Sequence, residues 1–171
     1  MTPFSGDSGL RVHVIVVGRA RPPMEAAVAE YESRAARYWK MQVSEVDGGA
    51  RGRGTAGDPD AVRAAEADKI RAAIAPAARI VALTREGREM DSPGLARFLE
   101  ECAVGAVREV AFLVGGAFGL HPELIADAHR RLSLSGLTLP HEMARLVLAE
   151  QLYRAGTISR GEPYHKGGGG R

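Results

Sequence analysis

Cysteine is nearly absent from this chain. Cys102 stands alone among 171 residues, which excludes a disulfide framework and any cysteine-based metal site. A chain built without disulfides suits a reducing compartment, so the cytoplasm is the expected location. Aromatic residues are scarce as well, at 5% with a single tryptophan, so aliphatic side chains must fill most of the core. The apolar run Val12 to Val17 is far shorter than the roughly 20 residues that cross a bilayer, and the segment Met1 to Gly9 carries no basic residue of the kind that opens a signal peptide. No membrane association is expected. An excess of one charge is also missing. Lys and Arg number 23 against 21 Asp and Glu, for a net charge of +2. So small an excess cannot hold nucleic acid by bulk phosphate attraction, although local basic clusters can still touch RNA. The five histidines, His13, His121, His129, His141 and His165, include no i,i+4 pair and have no accompanying acidic or cysteine cluster. No metal is expected.

What is present is one domain's worth of alternating strand and helix signals. Met1 to Leu10 reads as a polar, disordered extension. Val12 to Val17 is a β-branched run that fits a buried parallel strand. Pro22-Pro23 open a helix to about Tyr38, Gln42 to Val46 is a short strand, and Gly48 to Gly57 is a glycine-rich loop carrying Arg51 and Arg53. Asp58 caps a helix to about Ile74, and Ser92, followed by Pro93, caps another to about Val104. Ile80 to Leu83, Val110 to Val114 and Leu132 to Leu134 are strands, Pro122 to about His129 is a short helix, and Pro140 to Ala155 is the last helix. This alternation predicts a single α/β domain with a mainly parallel sheet and helices on both faces. Pattern alone favours an open doubly wound sheet.

The last helix is apolar nearly all round. Met143, Ala144, Leu146, Val147, Leu148, Ala149, Leu152 and Tyr153 encircle it, while Arg145, Glu150, Gln151 and Arg154 do not gather on one face. A helix of this kind is covered nearly all round, which points to a subunit interface as well as the core.

Two loops could meet a ligand. Gly115-Gly116 follows a strand, where glycines let the backbone approach a ligand closely; the same residues also make a plain tight turn. They lack both the dinucleotide fingerprint and the Lys-Ser/Thr ending of a P-loop. Leu134-Ser135-Gly136-Leu137-Thr138-Leu139 reads either as an ordinary turn or as a loop whose backbone meets an adenine edge while its leucines cover the ring.

Three blocks in fixed order carry a more specific signal: Gly115-Gly116-Ala117-Phe118-Gly119-Leu120, Leu134 to His141, and Arg160 to Lys166. Over roughly Arg11 to Lys166 the chain resembles the bacterial large-subunit ribosomal RNA methyltransferase H family. These are SPOUT-class enzymes with a trefoil-knotted α/β fold that methylate N3 of a pseudouridine in 23S rRNA. The resemblance implies that fold, that activity, S-adenosyl-L-methionine as cofactor, and a homodimer acting on 23S rRNA in the assembled ribosome. It implies cofactor contacts at Leu83, Gly115, Gly116 and Leu134 to Leu139. It also implies a tail that completes the substrate site, with His165 as candidate general base, Tyr164 as its neighbour that positions the base, and Arg154, Arg160 and Lys166 on phosphates. Residues 167–171, Gly-Gly-Gly-Gly-Arg, extend past the family pattern as a flexible tail. A tRNA target, or a ribosome-binding nucleotide module without catalysis, are the other functions this reading leaves open.

Overall fold

A computed structural model describes residues 9–48 and 57–164. Arg51, Arg53, His165 and Lys166 lie outside the described residues. Five strands form one sheet: β1 (Arg11–Val17), β2 (Lys40–Val46), β3 (Arg79–Glu89), β4 (Glu109–Val114) and β5 (Arg130–Ser133). Their order is β2-β1-β4-β3-β5, and every pairing is parallel. Five helices connect and cover them: α1 (Met24–Ala35), α2 (Pro59–Ala73), α3 (Ser92–Val104), α4 (Pro122–Asp127) and α5 (His141–Ser159).

The central strands explain the apolar runs. β4 is buried at all six positions, and β1 at every position after Arg11. A parallel strand covered on both faces has no solvated side, so alternation disappears. Even-numbered β1 residues, Val12, Val14 and Val16, enter one core with α3 and α5. Ile15 and Val17 enter the other, against Ala67 and Ile70 of α2 and Leu124 of α4. The helices therefore lie on both faces of the sheet, as the alternation predicts.

α5 occupies the centre of its layer, packed between α1 and α3. Its buried members Leu148, Ala149, Leu152 and Ala155 face the sheet and its two neighbours. Trp39 seals the lower end of this core and donates its indole N–H to the Leu152 carbonyl at 2.9 Å. Replacing it by Phe keeps most of the ring area but leaves that hydrogen bond unmade. A loss of about 1 kcal/mol is expected for Trp39→Phe, read by circular dichroism as a lower urea midpoint with unchanged slope.

Several boundaries differ from the sequence expectation. Leu10, assigned to the extension, is fully buried in the core and accepts a hydrogen bond from the Lys40 N–H. Asp91 rather than Ser92 caps α3: its carboxylate accepts the Gly94 N–H at 2.7 Å, while the Ser92 hydroxyl donates to Gln151 on α5. The first helix stops at Ala35 instead of Tyr38, and the last runs on to Ser159 instead of ending at Ala155. β5 begins two residues earlier than expected and ends before Leu134. The largest departure is β3, expected over four residues and observed over eleven. Leu83 and Arg88 both pair with Leu132, so residues 84–87 bulge out and the strand resumes beyond them. Pairing with a strand nearly fifty residues away holds this polar segment extended.

Candidate active site

The C-terminal ends of β3, β4 and β5 open into one cavity of about 630 Å³, within the range of roughly 300–1,000 Å³ typical of small-ligand sites. Open parallel sheets bind ligands at this end of their strands. Leu83 enters from β3, and Gly115 and Gly116 follow β4. Leu134, Ser135, Leu137, Thr138 and Leu139 line the same cavity from the loop after β5. Three sequence segments separated by about thirty and twenty residues thus meet at one place. Gly136, expected among them, is absent from the lining and faces open space.

The loop after β5 is shaped by its own hydroxyls. Ser133 donates to the Ser135 carbonyl at 3.0 Å, and the Ser135 hydroxyl accepts the Leu137 N–H at 2.9 Å. This local bonding stands Leu137 outward with 76% of its surface exposed at the cavity wall. Arg85, in the bulge of β3, donates to the Thr138 hydroxyl at 2.8 Å and so ties the loop across the opening. Next to it, the Thr84 hydroxyl and the backbone hold the Glu86 carboxyl below its ordinary pKa. The apolar lining together with backbone and hydroxyl groups suits a flat heterocycle with a polar rim. Among the described residues no group of three or more His, Cys, Asp or Glu could hold a metal. No helix among them is long and apolar enough to cross a membrane.

Gly115 plays a different part from the one its position suggests. A Cβ there would stand 2.6 Å from the Gly119 carbonyl carbon and 2.7 Å from the Leu120 nitrogen. The glycine is needed for the loop to close on itself, through the Gly116–Gly119 bridge, before any ligand is considered.

The remaining candidates collect elsewhere. Tyr164 lies against Tyr153 with ring centroids 4.6 Å apart, and donates to Glu150 at 3.2 Å. Burial, then hydrogen bonding with Tyr31 and the charge of Glu150, pushes its phenol up to about 12. At neutral pH such a phenol is a hydrogen-bond donor and no base. Tyr38 is likewise pushed up to about 12, by burial and by its 2.5 Å bond to Glu162. Arg154 holds Glu150 and covers the Tyr164 ring; Arg160 donates to the Arg37 carbonyl and covers the Tyr38 ring. Residues 160–164 are therefore docked against α1, the turn after it and α5 of the same chain. Glu150 lies six residues beyond Ala144, the last α5 residue lining the cavity, or about 9 Å along the helix.

Two residues that the sequence did not single out for the site stand out. Arg145 is only 6% exposed, yet it bonds Glu32 on α1 twice and Glu45 on β2 once, at 2.7 to 3.2 Å. Burial pulls this guanidinium's pKa down, and the two carboxylates more than restore it. His141 opens α5 and lines the cavity. Only the folded arrangement reveals either role, since the partners of Arg145 lie on α1 and β2 and the cavity at His141 is assembled from several elements.

Comparison with known proteins bears on this geometry. Residues 10–165 match the family model described as "Predicted SPOUT methyltransferase". A protein named ribosomal RNA large subunit methyltransferase H from Gemmatimonas aurantiaca is 49% identical over 158 residues, which is 92% of this chain and all of that protein. Its namesake from Anaeromyxobacter sp. (strain K) is 43% identical over the same shares. The crystal structure of a probable methyltransferase from Bordetella pertussis Tohama I superposes with a TM-score of 0.56 at 18% identity, covering 88% of this chain and 99% of that one. It shares the fold. With the parallel sheet, the strand-end cavity and near full-length identity of this order, the chain belongs to the SPOUT methyltransferase family, in the group of the ribosomal RNA large subunit methyltransferases H.

Proposed function

We propose that this protein is a cytoplasmic homodimer that methylates N3 of a pseudouridine in the 23S rRNA of the assembled ribosome, with S-adenosyl-L-methionine as donor. The observation that carries this reading is the gathering of Leu83, Gly115-Gly116 and the 134–139 loop around one strand-end cavity. The names of the full-length relatives support the ribosomal RNA target. When bound, the cofactor supplies a methyl group already activated on a sulfonium. The protein's part is then to orient two reactants and to remove one proton.

For N3 to gain the methyl group its N–H must give up its proton to a base, while the methyl–sulfur bond would break and leave a neutral thioether. His165 is assigned as the acceptor of that proton and Tyr164 as the donor that fixes the base. Arg154, Arg160 and Lys166 are assigned to phosphates. Tyr164 of the same chain does not line the cavity; in this reading a second subunit brings its tail there. Half-buried Leu146 and Val147, with exposed Met143, leave an apolar strip on α5 for that subunit. Sedimentation at micromolar concentration should show two subunits.

The cofactor assignment has a direct test. Ala144 projects from α5 into the cavity, so Ala144→Phe should lower calorimetric affinity for S-adenosylmethionine at least tenfold in a folded variant. Unchanged affinity would remove the cavity from consideration. The reaction itself is tested by mass spectrometry of rRNA from a strain lacking the gene, where one methylated pseudouridine should revert to its unmethylated mass.

A further inference from the structure

A second cavity of about 580 Å³ adjoins the first. The two share three lining residues, Gly116, Phe118 and His141. An in-line transfer needs its acceptor atom about 3–3.5 Å from the donor carbon. The acceptor base must therefore occupy space contiguous with the cofactor cavity, and this second cavity provides it.

Its chemistry fits one unstacked nucleotide. Phe118 is 38% exposed and lines both cavities; an aromatic side chain is the usual platform for a splayed base. Arg19 and Arg21 stand on the rim. Arg19 is largely exposed and only loosely paired with Glu45 at 3.5 Å, so it is free to meet a backbone phosphate. Inside, Glu66 of α2 is only 5% exposed, and its carboxylate faces Gly116. A Cβ on Gly116 would lie 3.1 and 3.3 Å from the two carboxylate oxygens and 3.0 Å from Val17. The absent side chain thus leaves the wall thin where the carboxylate stands. Asp47, Glu142 and the His141 imidazole complete the polar lining.

Resting on the functional reading above, we infer that the second cavity receives the flipped pyrimidine and that Glu66 distinguishes pseudouridine from uridine. Pseudouridine is attached through carbon and so carries a second ring N–H, at N1. Uridine has its sugar bond there and no proton. A carboxylate has about four acceptor positions, so Glu66 can accept the N1–H besides its existing contacts. Facing uridine, the same carboxylate gains no such bond, so the added charge-assisted hydrogen bond is available to pseudouridine alone. His141, in the shared wall, positions the base between the two cavities.

The test uses the full-length protein and two ribosome preparations, one with pseudouridine and one with uridine at the target position. Methyl transfer by the wild type to the pseudouridine ribosomes should exceed transfer to the uridine ribosomes at least a hundredfold in kcat/KM. Glu66→Gln, which keeps the shape and removes the charge, should lower that ratio about tenfold while calorimetric affinity for S-adenosylmethionine stays within twofold. Ala20→Trp, which fills the second cavity from its rim, should cut transfer at least a hundredfold with the same cofactor affinity. An unchanged ratio in Glu66→Gln, or full transfer by Ala20→Trp, overturns the inference and leaves the functional reading standing. A wild type that transfers no methyl group to either preparation overturns both.

Discussion

Removing residues 160–171 should lower methyl transfer to ribosomes at least a hundredfold while leaving cofactor affinity within about threefold. The cofactor cavity is lined from β3, β4, α4, the loop after β5 and the first turn of α5, with nothing beyond Ala144. The truncation ends two turns or more past all of these. What it removes is Arg160 with its bond to the Arg37 carbonyl, Glu162 with its bond to Tyr38, and Tyr164 with its contacts to Glu150 and Tyr153. Three such bonds and one ring contact together cost about 4 kcal/mol of stability, less than the roughly 5–15 kcal/mol that holds a domain folded. Misplacing the acceptor by a single ångström, by contrast, can cost a factor of about a hundred in rate. Sedimentation should still show a dimer, because the apolar strip of α5 is intact. Full activity in this truncation would mean that the tail does no more than cover its own helix.

Arg145→Ala should be the most destabilising single change at a charged position. The guanidinium is bonded to Glu32 and Glu45, whose side chains are 16% and 33% exposed. Its removal leaves two carboxylates side by side with no cation between them. Breaking a buried pair this way costs about 3–5 kcal/mol, and the partial exposure of the glutamates places this case near 3. At roughly 2–4 °C per kcal/mol for a chain of this length, the melting temperature should fall by about 10 °C. The cause can be separated from lost packing. Arg145→Met combined with Glu32→Gln and Glu45→Gln removes all three charges and should recover more than half of the loss. A triple variant no more stable than Arg145→Ala would show that the network's charges are incidental.

The readable part of this fold is the part governed by local pattern. Val12 to Val17 and Val110 to Val114 are uninterrupted because both faces of those strands are covered, and that property shows in the sequence itself. Asp58 announces α2 because a cap is chemistry between near neighbours. The extended half of β3 had no such sign. Thr84 to Glu89 is polar and contains a glycine, and it is a strand only because β5 pairs with it. Arg145 looked like one of several scattered polar residues on an apolar helix; its partners are on α1 and β2, a hundred residues and more away. The site divides the same way. Leu83, Gly115-Gly116 and the 134–139 loop could be named together because each follows a strand and matches a family block. Glu66 belongs to no such block and His141 only closes the one that begins at Leu134; that the two line one cavity is visible only in three dimensions.

His141 and its turn of α5 also set a limit in time. Both cavities take part of their wall from this turn, and it follows all five strands along the chain. Chains emerge from the ribosome N-terminus first. A nascent chain that has emerged only through β5 therefore has every strand of the sheet and neither complete pocket. A chain released just after β5 is silent: it has no enclosed place for a cofactor or a base.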